Sequence, residues 1–361
     1  MKIFSKISLC ALTVFLTIAS TIVGATSEKS VTIVEATSEK SPTKSPKQNI
    51  EFKLHPTLGT DKVSAKNNAL RAHKDAIAIV NKYYKEKDGI DLKVNLDDRE
   101  YQNKVMMLGT AALDNLSEKE IKEIVKFIKF MDRYENYGKN EKINKLKEKN
   151  NQRQLTIDEE RELEELLPIE IDQYTEETGS EVPTFSIAEV FANGYDQIAA
   201  RDYARKWTSN TEILRNNAQF PYYSRVNGNC YSCWWDCTNF VSQALMAGGM
   251  RHLGYDQTWY YSNAGPSYSW GGANSFYKHW KNRAVVAGSY SDLRTGDVVS
   301  ANYDTDADID HNAMITRNDS TSASGKWLTQ HTDDMEELTT VGTWVNRGYK
   351  IVGYEMDKAQ N

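Results

Sequence analysis

A cysteine and two histidines carry the clearest chemical signal in this sequence. Cys237 stands in the run DCTNFVSQ at 236–243, and the apolar residues from Phe240 to Leu245 recur at helical spacing. We therefore expect Cys237 in the first turn of an amphipathic helix capped by Asp236. Unpaired N–H groups and a partial positive charge at a helix N-terminus favour the nucleophilic thiolate. We predict that Cys237 is a nucleophile; the alternative is a structural cysteine, buried or in a disulfide bond.

His311 and His331 follow in strand-like segments and could complete the chemistry. His311 opens the apolar strand Ala313–Ile315, where it could take the thiol proton and later protonate a leaving amine. His331 is expected on an adjacent strand, where a hydrogen bond to His311 would fix its tautomer. Gln330 and Asp333 compete with His331 for this third role. For both histidines the alternative is a surface position without catalytic function.

Three cysteines remain if residues 1–25, which contain Cys10, are removed as a signal peptide. Because three is odd, at least one thiol of a monomer stays unpaired. Cys230 and Cys233 could form a tight disulfide, which would leave Cys237 free. A disulfide from Cys237 to either of them would instead mask the nucleophile and make it redox-gated.

Two patterns resemble metal sites, and we predict neither a metal nor a cofactor. The acidic loop from Asp304 to Asp310 begins like an EF-hand, but Ile309 and Ile315 stand where glycine and glutamate are required. The C-x-x-C pair at 230–233 has no second pair to complete a zinc site. We interpret the acidic loop as a solvated loop near the active site.

Aromatic residues are concentrated in the C-terminal half. Trp259, Tyr260 and Trp270 are predicted to line a substrate groove, and their alternative place is the core.

The first 50 residues are typical of export followed by a tether. Residues 1–25 combine Lys2 and Lys6, an apolar stretch and small residues at Val23–Ala25, which predicts a signal peptide; an uncleaved anchor is the alternative. Residues 26–50 are rich in Ser, Thr, Lys and Pro and predict a disordered linker. We therefore expect a secreted, extracellular or wall-associated protein with no membrane contact after cleavage. A net charge of -6 gives no support for nucleic acid as a partner.

Residues 51–175 are predicted to be mostly helical. One helix is expected over 65–85, a second after the capping box Ser117–Glu120, and a third between the box at 156–159 and Pro168. The charged stretch Lys139–Lys149 is expected as a solvated helix or a hairpin tip. The role of this region stays open between a spacer, a pro-segment, and a module that binds the substrate or the cell surface.

Residues 185–361 are predicted to form an α+β domain in which a helix packs on an antiparallel sheet. A helix is expected over 186–207 and another from Cys237 to the glycine pair at 248–249. Strands are expected near 296–303, 311–317, 325–332 and 343–355.

Several of these segments together resemble the bacterial putative amidase domain family, over roughly 190–352. The resemblance is carried by residues 195–204, 236–243, 248–249, 259–261, 269–270, 310–316 and 329–332. This family is similar to the NlpC-like and cysteine/histidine-dependent amidohydrolase/peptidase groups. The resemblance implies a papain-like core, and amide bonds of bacterial cell walls as the substrates of many members.

The same resemblance implies roles for individual residues. Cys237 matches the nucleophile, His311 the base and His331 the third polar position, while the backbone N–H of Cys237 would belong to the oxyanion hole. The segment Asn229–Trp235 departs from the family's pattern and would lie at the mouth of the cleft.

These observations predict a secreted cysteine amidohydrolase or peptidase that cleaves amide bonds, with peptidoglycan or another peptide as its partner. Two alternatives stay open: an acyl transferase that uses the same Cys–His pair, and a catalytically silent wall-binding or adhesive protein on the same scaffold. The sequence leaves the oligomeric state open.

Overall fold

A six-stranded antiparallel sheet organises the C-terminal half of the chain. In the computed structural model, which describes residues 51–171, 174–176, 193–211, 216–221, 236–253, 259–262 and 265–361, the strand order is β1-β6-β2-β3-β4-β5. The strands are β1 (Val285–Val286), β2 (Val298–Asn302), β3 (His311–Asn318), β4 (Lys326–Gln330), β5 (Met335–Thr340) and β6 (Lys350–Glu355).

The described helices fall into an N-terminal group and a group around the sheet. The first group is α1 (Lys62–Ala72), α2 (Lys74–Asp88), α3 (Arg99–Met107), α4 (Glu118–Gln152) and α5 (Ile157–Leu166). The second is α6 (Gln197–Lys206), α7 (Cys237–Ala247), α8 (Tyr268–Gly271), α9 (Ala273–Arg283) and α10 (Val341–Asn346).

Local capping signals explain where the N-terminal helices begin. Ser117 and Thr156 form complete capping boxes with Glu120 and Glu159, as predicted. The helix α4 then runs for 35 residues without a break, so the charged stretch Lys139–Lys149 is part of a helix rather than a hairpin. The helix predicted over 65–85 is divided into α1 and α2 at His73.

The sheet is covered on both faces because its strands are apolar on both sides. Val299, Ala313 and Ile315 belong to a core shared with the N-terminal helices. Val298, Met314 and Val352 belong to a second core shared with α6, α7 and α9. The result is a three-layer arrangement of helix, sheet and helix within one compact unit, residues 51–361.

The segment after α3 is fastened directly to the sheet layer. The guanidinium of Arg347 donates to the carbonyl oxygens of Gly109, at 2.6 Å, and Ala111, at 2.8 Å. A side chain at Gly109 would collide with the Tyr303 ring, since a Cβ there would lie 2.9 Å from it. The N-terminal helices are therefore part of the same packed body as the sheet.

The structure confirms the predicted α+β class with an antiparallel sheet. It corrects the strand expected over 343–355: residues 341–346 form α10, because Thr340 and Thr343 cap a helix, and only β6 remains of that strand. It also corrects the helix expected over 186–207, because residues 193–196 are not helical and α6 begins at Gln197. Within the described residues, no helix has both the length and the apolar character needed to cross a bilayer. The predicted signal peptide and linker, 1–50, lie outside the described residues.

Candidate active site

The helix α7 carries Cys237 as its first residue and packs closely against α6. Gly248 ends α7, and a Cβ there would lie 2.5 Å from the Tyr195 ring, so only glycine permits this approach. The Gly248 carbonyl also accepts a hydrogen bond from the N–H of Asp196, the N-cap of α6. The two helices thus hold the cysteine in a fixed place beside the sheet.

Thr332, rather than Asp236, caps the N-terminus of α7. Its Oγ1 accepts the backbone N–H groups of both Asp236 and Cys237, each at 3.1 Å, whereas the Asp236 carboxylate makes no capping bond. The N–H of Cys237, expected in the oxyanion hole, is therefore engaged by a hydroxyl in this conformation. Thr332 has φ of 87°, a strained left-handed conformation for a β-branched residue.

The thiol of Cys237 is buried, and its environment differs from the one predicted. Burial raises the pKa of Cys237 above its ordinary value; the backbone N–H of Asn312 and the hydroxyl of Thr238 oppose this rise. The side chain is 1% exposed, and its Sγ lies 3.6 Å from Thr238 Oγ1. Desolvation therefore outweighs the helix N-terminus, and the thiol is the stable form in this conformation.

His311 is the first residue of β3, and its ring meets Trp344 edge to face without a hydrogen bond to the thiol. The thiol faces the N–H of Asn312, the residue after His311, and the Asn312 amide donates to Thr238 Oγ1 at 2.8 Å. Burial lowers the pKa of His311 to about 3, so its ring is neutral near pH 7. A neutral, buried imidazole can accept a proton, which is what a general base requires.

Gln330 occupies the orienting position next to His311. Its side chain is close enough to the imidazole to oppose the fall of the His311 pKa. His311 Nε2 and Gln330 Oε1 are nevertheless buried without a hydrogen-bond partner among the described residues, and Gln330 Nε2 donates to Thr110 Oγ1 at 3.1 Å. A residue of the N-terminal region therefore helps to hold the side chain that contacts the histidine.

His331 makes contacts other than those predicted for it. Its Nδ1 lies 2.8 Å from Asp236 Oδ2, its Nε2 lies 2.6 Å from the carbonyl oxygen of Trp207, and its ring stacks on Phe240. Both ring nitrogens are thus engaged away from His311, and the expected hydrogen bond between the two histidines is absent. The end of β4 explains this, because Gln330 is its last residue and His331 already lies in the turn that follows, so the strand predicted near 325–332 stops before it.

The predicted groove residues Trp259 and Trp270 belong to the core. Both have 0% exposure, and their indole N–H groups donate to Ser242 Oγ and Asn239 Oδ1. Asn239 in turn donates to Asp236 at 2.7 Å. The tryptophans therefore support the cysteine helix from behind and do not line an open groove. Tyr260 is half-buried, and its role in binding stays a prediction.

A cleft of about 520 Å³ opens at Cys237 and is walled by both halves of the chain. The N-terminal helices contribute charged side chains, and the C-terminal half contributes Thr238, Tyr268, Asn274 and the end of the acidic loop. The charged lining residues of the N-terminal helices are Arg99, Glu135, Lys139, Lys142, Glu162 and Glu165. No sequence motif marked these residues, since only the fold brings them to the cysteine.

Glu165 is a cleft residue whose acidity is shifted towards neutral pH. Burial raises its pKa to about 7, while hydrogen bonding with Ser275 opposes this rise. A carboxyl group with such a pKa can exist in either form near neutral pH.

Cys230 and Cys233, the predicted disulfide pair, lie outside the described residues.

Comparison with known proteins identifies the part of the chain that holds this site. Residues 194–354 match the family model named Putative amidase domain. Two similar proteins come from Bacillus subtilis (strain 168), and both are called uncharacterized. YhbB is 30% identical over 133 residues, which cover 35% of this chain and 38% of YhbB. YjcM is 30% identical over 142 residues, which cover 36% of this chain and 30% of YjcM.

The chain thus spans about a third of the length of these relatives. The family match covers α6 to β6, including Cys237, His311 and His331, and it suggests amide hydrolysis in general terms. No solved structure matches this chain. The predicted resemblance to the amidase domain family is thereby confirmed for residues 194–354, while the NlpC-like relationship and the papain-like core stay predictions.

Proposed function

We propose that this protein is a cysteine-dependent amide hydrolase whose nucleophile is Cys237 and whose base is His311. The carrying observation is that α7 brings Cys237 to the wall of a cleft and to the N–H of Asn312, the residue that follows His311 in β3. This arrangement lies inside the segment that matches the amidase family model.

The proposed reaction uses the groups at the start of β3. His311 accepts the thiol proton, the sulfur attacks the amide carbonyl carbon, and the protonated imidazole gives its proton to the leaving amine. Water then attacks the acyl-enzyme, with His311 again as the base. Gln330 would keep the imidazole in one orientation, as the third member of such constellations does.

The described conformation corresponds to a resting state in this proposal. Both reacting groups are neutral and buried, and Thr332 engages the N–H that would stabilise an oxyanion. Substrate entry must therefore release Thr332 from Cys237 and bring the thiol and the imidazole into hydrogen-bond contact.

The cleft supports a substrate that carries both kinds of charge. Arg99 and Lys142 could meet carboxylates of the substrate, and Glu162 could meet an amine. Cell-wall peptides combine these groups, so we propose peptidoglycan as the substrate, in line with the predicted secretion.

The test is a muropeptide digest with three proteins. Wild type, Cys237→Ala and His252→Ala are incubated with isolated peptidoglycan under reducing conditions, and soluble products are identified by mass spectrometry. We expect products from wild type and from His252→Ala, an exposed histidine, but none from Cys237→Ala. Equal product from Cys237→Ala would refute a cysteine nucleophile, and adducts formed with an added primary amine would indicate a transferase.

A silent scaffold is the second candidate, because the thiol has a raised pKa and no hydrogen bond to His311. This function predicts binding of Cys237→Ala to peptidoglycan equal to that of wild type, and no products from either protein.

A further inference from the structure

Buried carboxylates from α4 and the acidic loop form a cluster outside the proposed reaction. Carboxylate oxygens of Asp132, Asp304 and Asp306 all lie within 4.8 Å of one another. Two oxygens bound to the same calcium ion at 2.3–2.6 Å are at most about 5 Å apart. The three side chains are thus already spaced as ligands of a single ion.

The Asp132 carboxylate is the observation that points to a ligand. The residue is 0% exposed, and within the described part of the chain neither carboxylate oxygen has a hydrogen-bond partner. One helical turn further, Asn136 Oδ1 is also buried without a partner. Asp310 is the neighbouring carboxyl group, and a proton shared with it or a bound cation is the partner that such a buried carboxylate requires.

The remaining contacts fix the loop but do not neutralise it. Asp304 accepts the N–H of Asp306 at 2.9 Å and forms an ion pair with Arg133. Asp306 accepts the N–H of Asp308 at 3.1 Å and the amide of Asn136 at 3.0 Å. Each of these oxygens has a lone pair left for a metal ion.

The local charge balance favours a cation. Arg133 offsets Asp304, and Lys139 offsets Asp308, but Asp132 and Asp306 form no ion pair among the described residues. The acidic groups of the cluster therefore outnumber the cationic side chains that pair with them in the described part of the chain.

We propose that Asp132, Asp304 and Asp306 bind a divalent cation, with calcium as the preferred ion. Hard oxygen ligands in an irregular set suit calcium, whereas magnesium demands near-ideal octahedral geometry. The EF-hand pattern did not predict this site, because Asp132 replaces the missing glutamate from another helix. The ion would tie α4 to the loop that leads into β3 and so help to place His311.

The first test measures calcium binding directly. The full chain, freed of metal with a chelator, is titrated with calcium chloride by isothermal titration calorimetry, alongside Asp132→Asn, Asp306→Asn and the exposed control Asp114→Asn. We expect one site in wild type and in Asp114→Asn, and at least about tenfold weaker binding in the other two variants. No binding by wild type at about 1 mM calcium, or equal binding by Asp132→Asn, would overturn the proposal.

A melting experiment keeps the test valid if a variant is altered in stability. In chelator, Asp132→Asn should melt no lower than wild type, because it removes an unpaired buried charge. In calcium the order should reverse, because only wild type gains from the bound ion. The same order in both buffers would contradict a cation site and indicate that protons neutralise the cluster.

Discussion

Replacing His331 by alanine should destabilise the protein far more than it disturbs the chemistry at His311. In the wild type, the Asp236 carboxylate and the His331 ring are almost fully buried and 2.8 Å apart. The substitution leaves Asp236 with the amide of Asn239 as its remaining side-chain donor and removes the stack on Phe240. Breaking a buried pair in this way costs about 3–5 kcal/mol.

This loss is a large part of the whole stability, which is about 5–15 kcal/mol for a typical protein. At about 2 °C per kcal/mol for a chain of this size, the melting temperature should fall by roughly 6–10 °C. As a control, His252→Ala should lower the stability by no more than about 1.5 kcal/mol. The His252 ring is exposed and only touches Trp259 and Trp270 edge to face.

The effect should depend on pH in a defined direction. Burial alone would lower the pKa of His331, but the carboxylates of Asp334 and Asp236 outweigh it and raise the pKa above 6.5. The stabilisation is therefore complete below about pH 6.5 and is lost as the pH rises through the folded-state pKa. The penalty of His331→Ala should be larger at pH 6 than at pH 9.

Urea unfolding of wild type, His331→Ala, Asp236→Ala and the double variant, at both pH values, measures this coupling. A penalty below about 1 kcal/mol, or one that grows with pH, would refute the reasoning. Full stability with lost activity would instead restore the third catalytic role that the sequence suggested for His331.

Three further outcomes follow from the site and its surroundings. Gln330→Ala should lower kcat with little change in KM, because the His311 ring loses its orienting contact, and steady-state kinetics on the released peptide measures this. Iodoacetamide should modify Cys237 more slowly at pH 7 than it modifies the same cysteine in urea, and equal rates would contradict a buried thiol of raised pKa. Wild type should lose stability as the pH rises from about 4.5 through about 7, because a carboxyl group with a raised pKa, here Glu165, stabilises the fold only while it is protonated. The Glu165→Gln variant should not show this loss, and wild-type melting curves that stay unchanged over this range would contradict the prediction.

Local signals in the sequence were sufficient for the elements but not for the contacts between them. Capping boxes and apolar periodicity placed α4, α5 and α7, since these depend on residues three or four positions apart. The strand β5 escaped prediction because MEELTT has little apolar alternation, and only pairing with β4 defines it.

The candidate site shows the same limit at single residues. Cys237 and His311 are candidates by residue type and local setting, whereas the choice between His331 and Gln330 depends on where β4 ends. Gln330 is the last residue of that strand and His331 the first of the following turn, and the sequence alone does not set this boundary. Thr332 carried no signal, because a cap that comes from 95 positions away is a product of the tertiary fold.

The doubly covered sheet limits how the segment that matches the amidase family model can be moved between proteins. Residues 194–354 would, by themselves, expose the side of the sheet that carries Val299, Ala313, Ile315 and Leu328 to water. If this segment is fused to another protein, it should therefore aggregate unless that protein covers the exposed apolar face of the sheet. The N-terminal helices are the cover that this chain provides.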